Sequence, residues 1–103
     1  MVVKRGDIWR VTLGPVGRRS TRCVVVSPPE LHDFLRTVIV VPIATSANPA
    51  PFRIAMRFEG KTGLILVDQV LALQKSRLVA RLGAVSPATL RASLAALQQS
   101  FAV

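Results

Sequence analysis

Residues 21–30 read TRCVVVSPPE, and this stretch decides how the chain folds. Residues 23–26 are four consecutive apolar and mainly β-branched side chains, typical of a short strand buried on both faces. Pro28 and Pro29 follow, and proline cannot donate a hydrogen bond to a strand ladder, so the strand ends by Ser27. We therefore expect Arg22 to lie where a buried strand enters the core.

A guanidinium at the start of a buried strand has a rigid support, which suits phosphate recognition and electrostatic catalysis. The preceding loop adds two further arginines, Arg18 and Arg19, and the hydroxyls of Ser20 and Thr21. The five side chains make a candidate phosphate-binding segment. A solvated basic loop and a solvent-exposed arginine at a strand end are the alternatives that position leaves open.

The rest of the chain is a series of short apolar segments separated by turn residues. Residues 7–13 and 52–58 alternate apolar and polar, which is typical of half-buried strands. Residues 37–43 and 64–67 predict strands through continuous apolar character. Residues 70–73 continue that apolar character, and residues 78–82 are the candidate for a last short strand.

The C-terminal segment is the clearest helix. Ser86 followed by Pro87 predicts its N-terminus, and an apolar face is formed by Leu90, Leu94, Leu97 and Phe101. We therefore predict a mainly β fold with a C-terminal α-helix, in one domain over residues 1–103. About five to six short strands would form a small, strongly bent sheet or barrel.

Composition indicates the kind of partner. Fourteen Lys and Arg residues face five acids, for a formal net charge of +9, which implies a polyanion, either nucleic acid or an acidic protein segment. A single cysteine excludes a disulfide within one chain. The apolar runs are too short for a membrane span and the start of the chain does not resemble a secretory signal, so we expect a cytoplasmic protein without membrane association.

Motifs for metals and cofactors are absent from the sequence. It contains no CxxC, no HxxxH, no carboxylate cluster, no GxGxxG and no P-loop. We therefore expect no metal and no cofactor. RNA remains a possible substrate for such a protein because it carries its own nucleophile, the 2′-hydroxyl. The only histidine, His32, lies beyond the end of a strand, and we expect it at the surface.

Seven short sequence motifs follow one another along nearly the whole chain. Each motif is weak alone, but their order and spacing are specific as a set. They are residues 4–9 (KRGDIW), Arg22 with residues 24–28 (VVVSP), residues 38–43 (VIVVPI) before a Thr/Ser loop, 51–52 (PF), 66–69 (LVDQ), 75–78 (KSRL) and 82–83 (LG). This set resembles the MazF/PemK family of type II toxin–antitoxin endoribonucleases.

The resemblance implies an SH3-like barrel of the CcdB/MazF type that works as a homodimer. It implies metal-independent cleavage of single-stranded RNA (mRNA) at short specific sequences by attack of the 2′-hydroxyl. It also implies a cognate antitoxin whose acidic C-terminal segment occupies the RNA groove. The family's key arginine maps to Arg22, its loop threonine falls near Thr45 with Ser46 as the alternative, and the acid of its Asp-Gln pair maps to Asp68 beside Gln69.

Three departures from the family pattern bear on activity. The loop before Arg22 is shorter by a few residues and lacks the family's usual glutamate. Aligned from Pro42, the family's threonine falls on Ala44, and a shift of one residue in a strand reverses the facing of a side chain unless a bulge restores it. Cys23 also replaces a usual proline.

Roles follow from the chemistry of the side chains. Arg22 stays protonated, so we assign it to stabilising the phosphorane, with proton donation to the leaving 5′-oxygen as a further possibility. Thr45 or Ser46 would orient a phosphate oxygen or the 2′-hydroxyl, and Asp68 is either a proton acceptor or a turn cap. The side chains expected to bind the RNA are Arg18, Arg19, Ser20, Thr21 and Gln69. Two other functions stay open: a catalytically impaired module that binds RNA or antitoxin, and a CcdB-like gyrase poison.

Overall fold

A computed structural model describes residues 2–13 and 20–102. Seven strands and two α-helices lie in this part of the chain, so the sheet has more strands than the five to six predicted. In chain order the elements are β1 (Asp7–Thr12), β2 (Ser20–Val25), α1 (Pro29–Phe34), β3 (Thr37–Ala44), β4 (Arg53–Phe58), β5 (Lys61–Leu66), β6 (Leu71–Gln74), β7 (Leu78–Ala84) and α2 (Pro87–Ser100).

The strands form one antiparallel, curled sheet, which confirms the predicted mainly β class. The order is β4-β5-β3-β2-β1-β7, and β6 pairs with β3 outside this path. Strand β3 is the centre, because its first half pairs with β6 and its last residues, Ile43 and Ala44, pair with β5. Pro42 pairs in register with Cys23 of β2 on one edge of β3. On the opposite edge it lies between the residues that pair with β6 and those that pair with β5, so its missing N–H interrupts neither ladder.

Strand β2 is buried on both faces, as predicted. Cys23, Val24 and Val25 have no exposed surface. Cys23 and Val25 pack into one apolar cluster with Trp9, whereas Val24 packs into a second cluster with Ile65. Each such side chain contributes about 1.5–3 kcal/mol through burial, so β2 is held from both sides of the sheet.

Helix α2 covers the second cluster and begins where the sequence predicts. Ser86 Oγ accepts a hydrogen bond from the backbone N–H of Thr89 at 3.1 Å, the usual arrangement at a helix N-terminus. Leu94 and Leu97 pack against the sheet. The prediction that the helix includes Phe101 is wrong by one residue, because the helix ends at Ser100. Phe101 is exposed, but it lines one apolar groove with Leu94 and Leu97, on the predicted side of the helix.

The predicted surface position of His32 is also wrong. The proline-rich segment after β2 forms the six-residue helix α1, and His32 lies on its buried side. No helix in residues 2–13 or 20–102 is long and apolar enough to cross a lipid bilayer.

Candidate active site

Arg22 lies on β2 directly before the buried residue Cys23. It pairs in register with Ile43 on one side and with Arg10 of β1 on the other. Its side chain is 50% exposed, so the guanidinium reaches solvent while the strand that carries it is held by the core. Strand β2 begins at Ser20, so Arg22 is its third residue and does not open the strand, but it directly precedes the buried part as predicted.

Thr45 lies on the same side of the sheet as Arg22. Ile43 faces Arg22 in register, and Thr45 follows it by two residues, which is the spacing that returns a side chain to the same face. Arg22, Ile43 and Thr45 line one pocket. Alignment from Pro42 matches the family's threonine to Ala44, whose side chain faces the opposite side of the sheet. Thr45, one residue later, therefore carries its hydroxyl on the side of Arg22.

Glu59, which the sequence did not single out, forms an ion pair with Arg22. The guanidinium donates two hydrogen bonds to the carboxylate, from Nε to Oε1 and from Nη2 to Oε2, each of 3.0 Å. Glu59 and Gly60 form the two-residue turn between β4 and β5, with φ of +53° and +75°, as in type I′ hairpin turns. Nothing local in the sequence indicates that the Glu59 carboxylate reaches β2.

Three residues of the β4–β5 hairpin complete the pocket: Phe58, Lys61 and Gly63. A Cβ at Gly63 would lie 3.2 Å from the carbonyl oxygen of Ala44, so a glycine permits the close approach of β5 to β3. Lys61 and Arg22 carry positive charge and Glu59 carries the one negative charge among the lining residues. The arrangement favours an anionic ligand, and Arg10 adds a further cation across from Arg22 on the same face.

Asp68 lies away from this pocket. It follows the end of β5, whereas Lys61 and Gly63 lie at its start. Arg53 donates two hydrogen bonds to its carboxylate, of 3.0 and 3.1 Å, and these bonds lower the pKa of Asp68. Gln69 lies exposed in the same turn. The catalytic role of Asp68 and the RNA-binding role of Gln69 stay predictions.

The remaining predicted residues surround the pocket or lie outside the described part of the chain. Ser46 is exposed beside Thr45, and Ser20 is exposed on the same face of β2 as Arg22. Thr21 is half-buried and points to the opposite face. Arg18 and Arg19 fall among residues 14–19, outside the described residues, so the phosphate-binding loop stays a prediction.

The lone cysteine has no nucleophilic character in this fold. Burial raises the pKa of the Cys23 thiol to about 12, so the side chain is a neutral thiol that packs as a small apolar group. Within residues 2–13 and 20–102, no cluster of three His, Cys, Asp or Glu side chains could hold a metal ion. The polar side chains that line the pocket are those of Arg22, Thr45, Glu59 and Lys61.

The fold and the site together define a small curled sheet, capped by a C-terminal helix, that carries a basic pocket at the junction of β2, β3 and β5. The family of PemK-like, MazF-like toxins of type II toxin–antitoxin systems matches residues 4–101. The chain belongs to this family.

Individual relatives agree with this assignment. The chain is 38% identical over 73 residues to a candidate toxin of Mycobacterium tuberculosis (strain ATCC 25618 / H37Rv), which covers 67% of this chain and 68% of that protein. It resembles a mycobacterial endoribonuclease solved with its cognate antitoxin, with a TM-score of 0.81, 26% identity and coverage of 95% and 93% of the two chains. A MazE–MazF structure from Deinococcus radiodurans, with a TM-score of 0.84, 19% identity and coverage of 97% and 96%, shares the fold.

Proposed function

We propose that this protein is a toxin that cleaves single-stranded RNA, mRNA above all, at short specific sequences in the cytoplasm. The supporting observation is the basic pocket that joins Arg22 to Thr45 on one face of the sheet. Family membership and the endoribonuclease title of the mycobacterial neighbour support the same activity.

The proposed chemistry uses the nucleophile of the substrate and needs no metal. The 2′-oxygen attacks the adjacent phosphorus, the bond from phosphorus to the 5′-oxygen breaks, and the products end in a 2′,3′-cyclic phosphate and a 5′-hydroxyl. Arg22 stabilises the negative charge that builds on the phosphorane oxygens. Thr45 orients a phosphate oxygen or the 2′-hydroxyl from the same face, and Ser46 is its alternative.

Cleavage of a long unstructured RNA in excess EDTA tests this function, with identification of the product ends. We expect discrete fragments that end in cyclic phosphate, and a loss of about 10²–10³-fold or more in Arg22→Ala. Arg91→Ala removes an equal charge from the exposed face of α2 and serves as the matched control. RNA that stays intact but bound, with steep salt dependence, would instead indicate the impaired binding module.

The proposed partners are an antitoxin and a second copy of the chain. The net charge of +9 complements an acidic C-terminal antitoxin segment, and the mycobacterial neighbour was solved with its antitoxin. A peptide rich in Asp and Glu should compete with RNA for the wild-type protein and compete less for Arg22→Ala. Sedimentation at micromolar concentration tests the homodimer. Altered DNA topology without RNA cleavage would favour the gyrase poison.

A further inference from the structure

Glu59 is an unusual side chain for its position in the turn. The left-handed region is strained for a residue other than glycine, and Asn, Asp or Gly is preferred at this position of a type I′ turn. Glu59 nevertheless adopts a φ of +53°, and its side chain crosses to a strand 37 residues earlier in the chain. The position invites a functional explanation.

Stability does not explain this arrangement well. Both partners are about half exposed, with side-chain exposures of 50% for Arg22 and 46% for Glu59. Exposed ion pairs contribute little to the free energy of unfolding, no more than the strained backbone conformation costs. The pair therefore gives the fold little net stability. Its two consequences are that it fixes the orientation of the Arg22 guanidinium and that it places a carboxylate beside it.

The pair leaves binding capacity on both partners. Arginine has five N–H donors, and Glu59 takes two of them, so three remain for a phosphate. Each carboxylate oxygen accepts one hydrogen bond from Arg22 and keeps a lone-pair site free. A phosphate on the free edge of the guanidinium would lie beside the carboxylate, and the ribose 2′-hydroxyl is separated from that phosphate by two carbon atoms and one oxygen. The carboxylate is then within reach of the hydroxyl proton.

No other acid competes for this role in the pocket. All five acidic side chains of the sequence lie in the described part of the chain. Asp7 is buried against Arg81 and Trp9, Asp68 is paired with Arg53, and the other two, Glu30 and Asp33, belong to α1 beyond the far end of β2. Of the five acidic residues, only Glu59 lines the pocket that also contains Arg22 and Thr45.

We propose that Glu59 is the proton acceptor for the 2′-hydroxyl, an inference that rests on the proposed ribonuclease function. Glu59 takes the proton as the bond from the 2′-oxygen to phosphorus forms. The bond to the 5′-oxygen then breaks, and the leaving oxygen takes a proton from water. That water becomes hydroxide, which takes the proton from Glu59, so water is restored and the carboxylate is regenerated. Arg22 stays protonated throughout, holds the carboxylate in place and binds the phosphorane.

Two substitutions at Glu59 separate basicity from structure. Glu59→Gln keeps the size of the side chain and a hydrogen-bond acceptor for Arg22 but cannot take a proton. Glu59→Gly removes the side chain and suits a φ of +53°, so the turn is retained and space is left for a small acid. Glu30→Gln, which removes an exposed carboxylate from α1, is the matched control.

The experiment measures single-turnover cleavage of a short RNA against pH in EDTA. For the wild type we expect the logarithm of the rate to rise by one unit per pH unit over an acid limb. Glu59→Gln should lose about 10²–10⁴-fold in rate and should lack that limb. Added formate should restore cleavage to Glu59→Gly in proportion to its concentration, and it should not restore cleavage to Arg22→Ala.

Three results would overturn the inference. Cleavage by Glu59→Gln within a few-fold of the wild type, with the acid limb kept, would show that another group accepts the proton. Faster cleavage and tighter RNA binding would show that Glu59 is an anion that competes with the substrate. A wild-type protein that cleaves nothing would overturn the ribonuclease function itself, and with it the role of Glu59.

Discussion

Ser27 and His32 are joined by a hydrogen bond of 2.6 Å between Oγ and Nε2, and both side chains are buried. Ser27 Oγ accepts from the backbone N–H of Ile39 at 3.1 Å, and the other ring nitrogen, Nδ1, lies 3.0 Å from the carbonyl oxygen of Val3. A carbonyl only accepts, so Nδ1 donates to Val3. The imidazole thus ties the N-terminal segment to α1 and, through Ser27, to the segment after β2 and to Ile39 of β3.

This network predicts a structural role for the histidine. His32→Ala leaves the Ser27 hydroxyl and the Val3 carbonyl without their partner and opens a cavity, so we expect the free energy of unfolding to fall by about 2–4 kcal/mol. Urea denaturation measures the change. Cleavage by the folded fraction should stay near that of the wild type. A fully stable His32→Ala with cleavage reduced a hundredfold would contradict the structural role.

The buried thiol predicts an alkaline loss of stability. Burial raises the pKa of Cys23 to about 12 in the folded protein, whereas an unfolded cysteine titrates near 8.5. Stability is therefore full below about pH 8.5 and falls by about 1.4 kcal/mol per pH unit as pH rises toward 12. The sequence contains no tyrosine, which reduces the background in this range.

Cys23→Ala is the control for that titration, since it lacks the ionisable group. The difference in unfolding free energy between the two proteins should shrink steadily from about pH 8.5 upward. A thiol reagent should also leave native Cys23 unmodified at neutral pH and modify it on unfolding. Rapid modification of the native protein would show that the strand is not closed around the thiol.

The pair of Arg53 and Asp68 predicts a weaker effect at acid pH. Hydrogen bonds from Arg53 lower the pKa of Asp68 in the folded state, so the contribution of the pair is present above the unfolded value near 3.9 and is lost as pH falls below it. Because the carboxylate is 40% exposed, we expect Asp68→Asn to cost about 0.2–1 kcal/mol at neutral pH. Thermal unfolding at pH 7 and pH 3 measures this, and the cost should be smaller at pH 3 than at pH 7.

The same variant addresses the predicted catalytic role of Asp68. Loss of a proton acceptor lowers cleavage by about 10²-fold or more, whereas loss of an exposed ion pair changes it little. A cost in stability that is independent of pH would count against the ion pair as its cause.

Gly63 predicts a coupling between sheet geometry and activity. A methyl group there would meet the carbonyl oxygen of Ala44 at 3.2 Å and Cγ2 of Ile43 at 3.3 Å, so β5 and β3 would have to separate slightly below the pocket. We expect Gly63→Ala to lower the unfolding free energy by about 1–3 kcal/mol and to lower cleavage by the folded protein about tenfold or more through misplacement of Thr45. An Ala variant with wild-type stability and cleavage would show that the two strands adjust freely.

Most elements of the fold were accessible from the sequence because their signals are local. The period of the apolar residues predicted the strands, the double proline ended β2, and Ser86 with Pro87 predicted the start of α2. The placement of His32 failed, because its burial depends on neighbours distant in the chain, and such neighbours do not appear in a local pattern.

The candidate site was only partly accessible. The sequence by itself determined that Arg22 directly precedes a segment buried on both faces, because an apolar run of β-branched residues ending in two prolines has few other ways to fold. The tertiary structure decided the rest. The register of Arg22 with Ile43 brings Thr45 to its side, and the turn after β4 carries Glu59 across to its guanidinium. Both depend on how strands distant in the chain pair and curl, which the packing of the whole sheet determines.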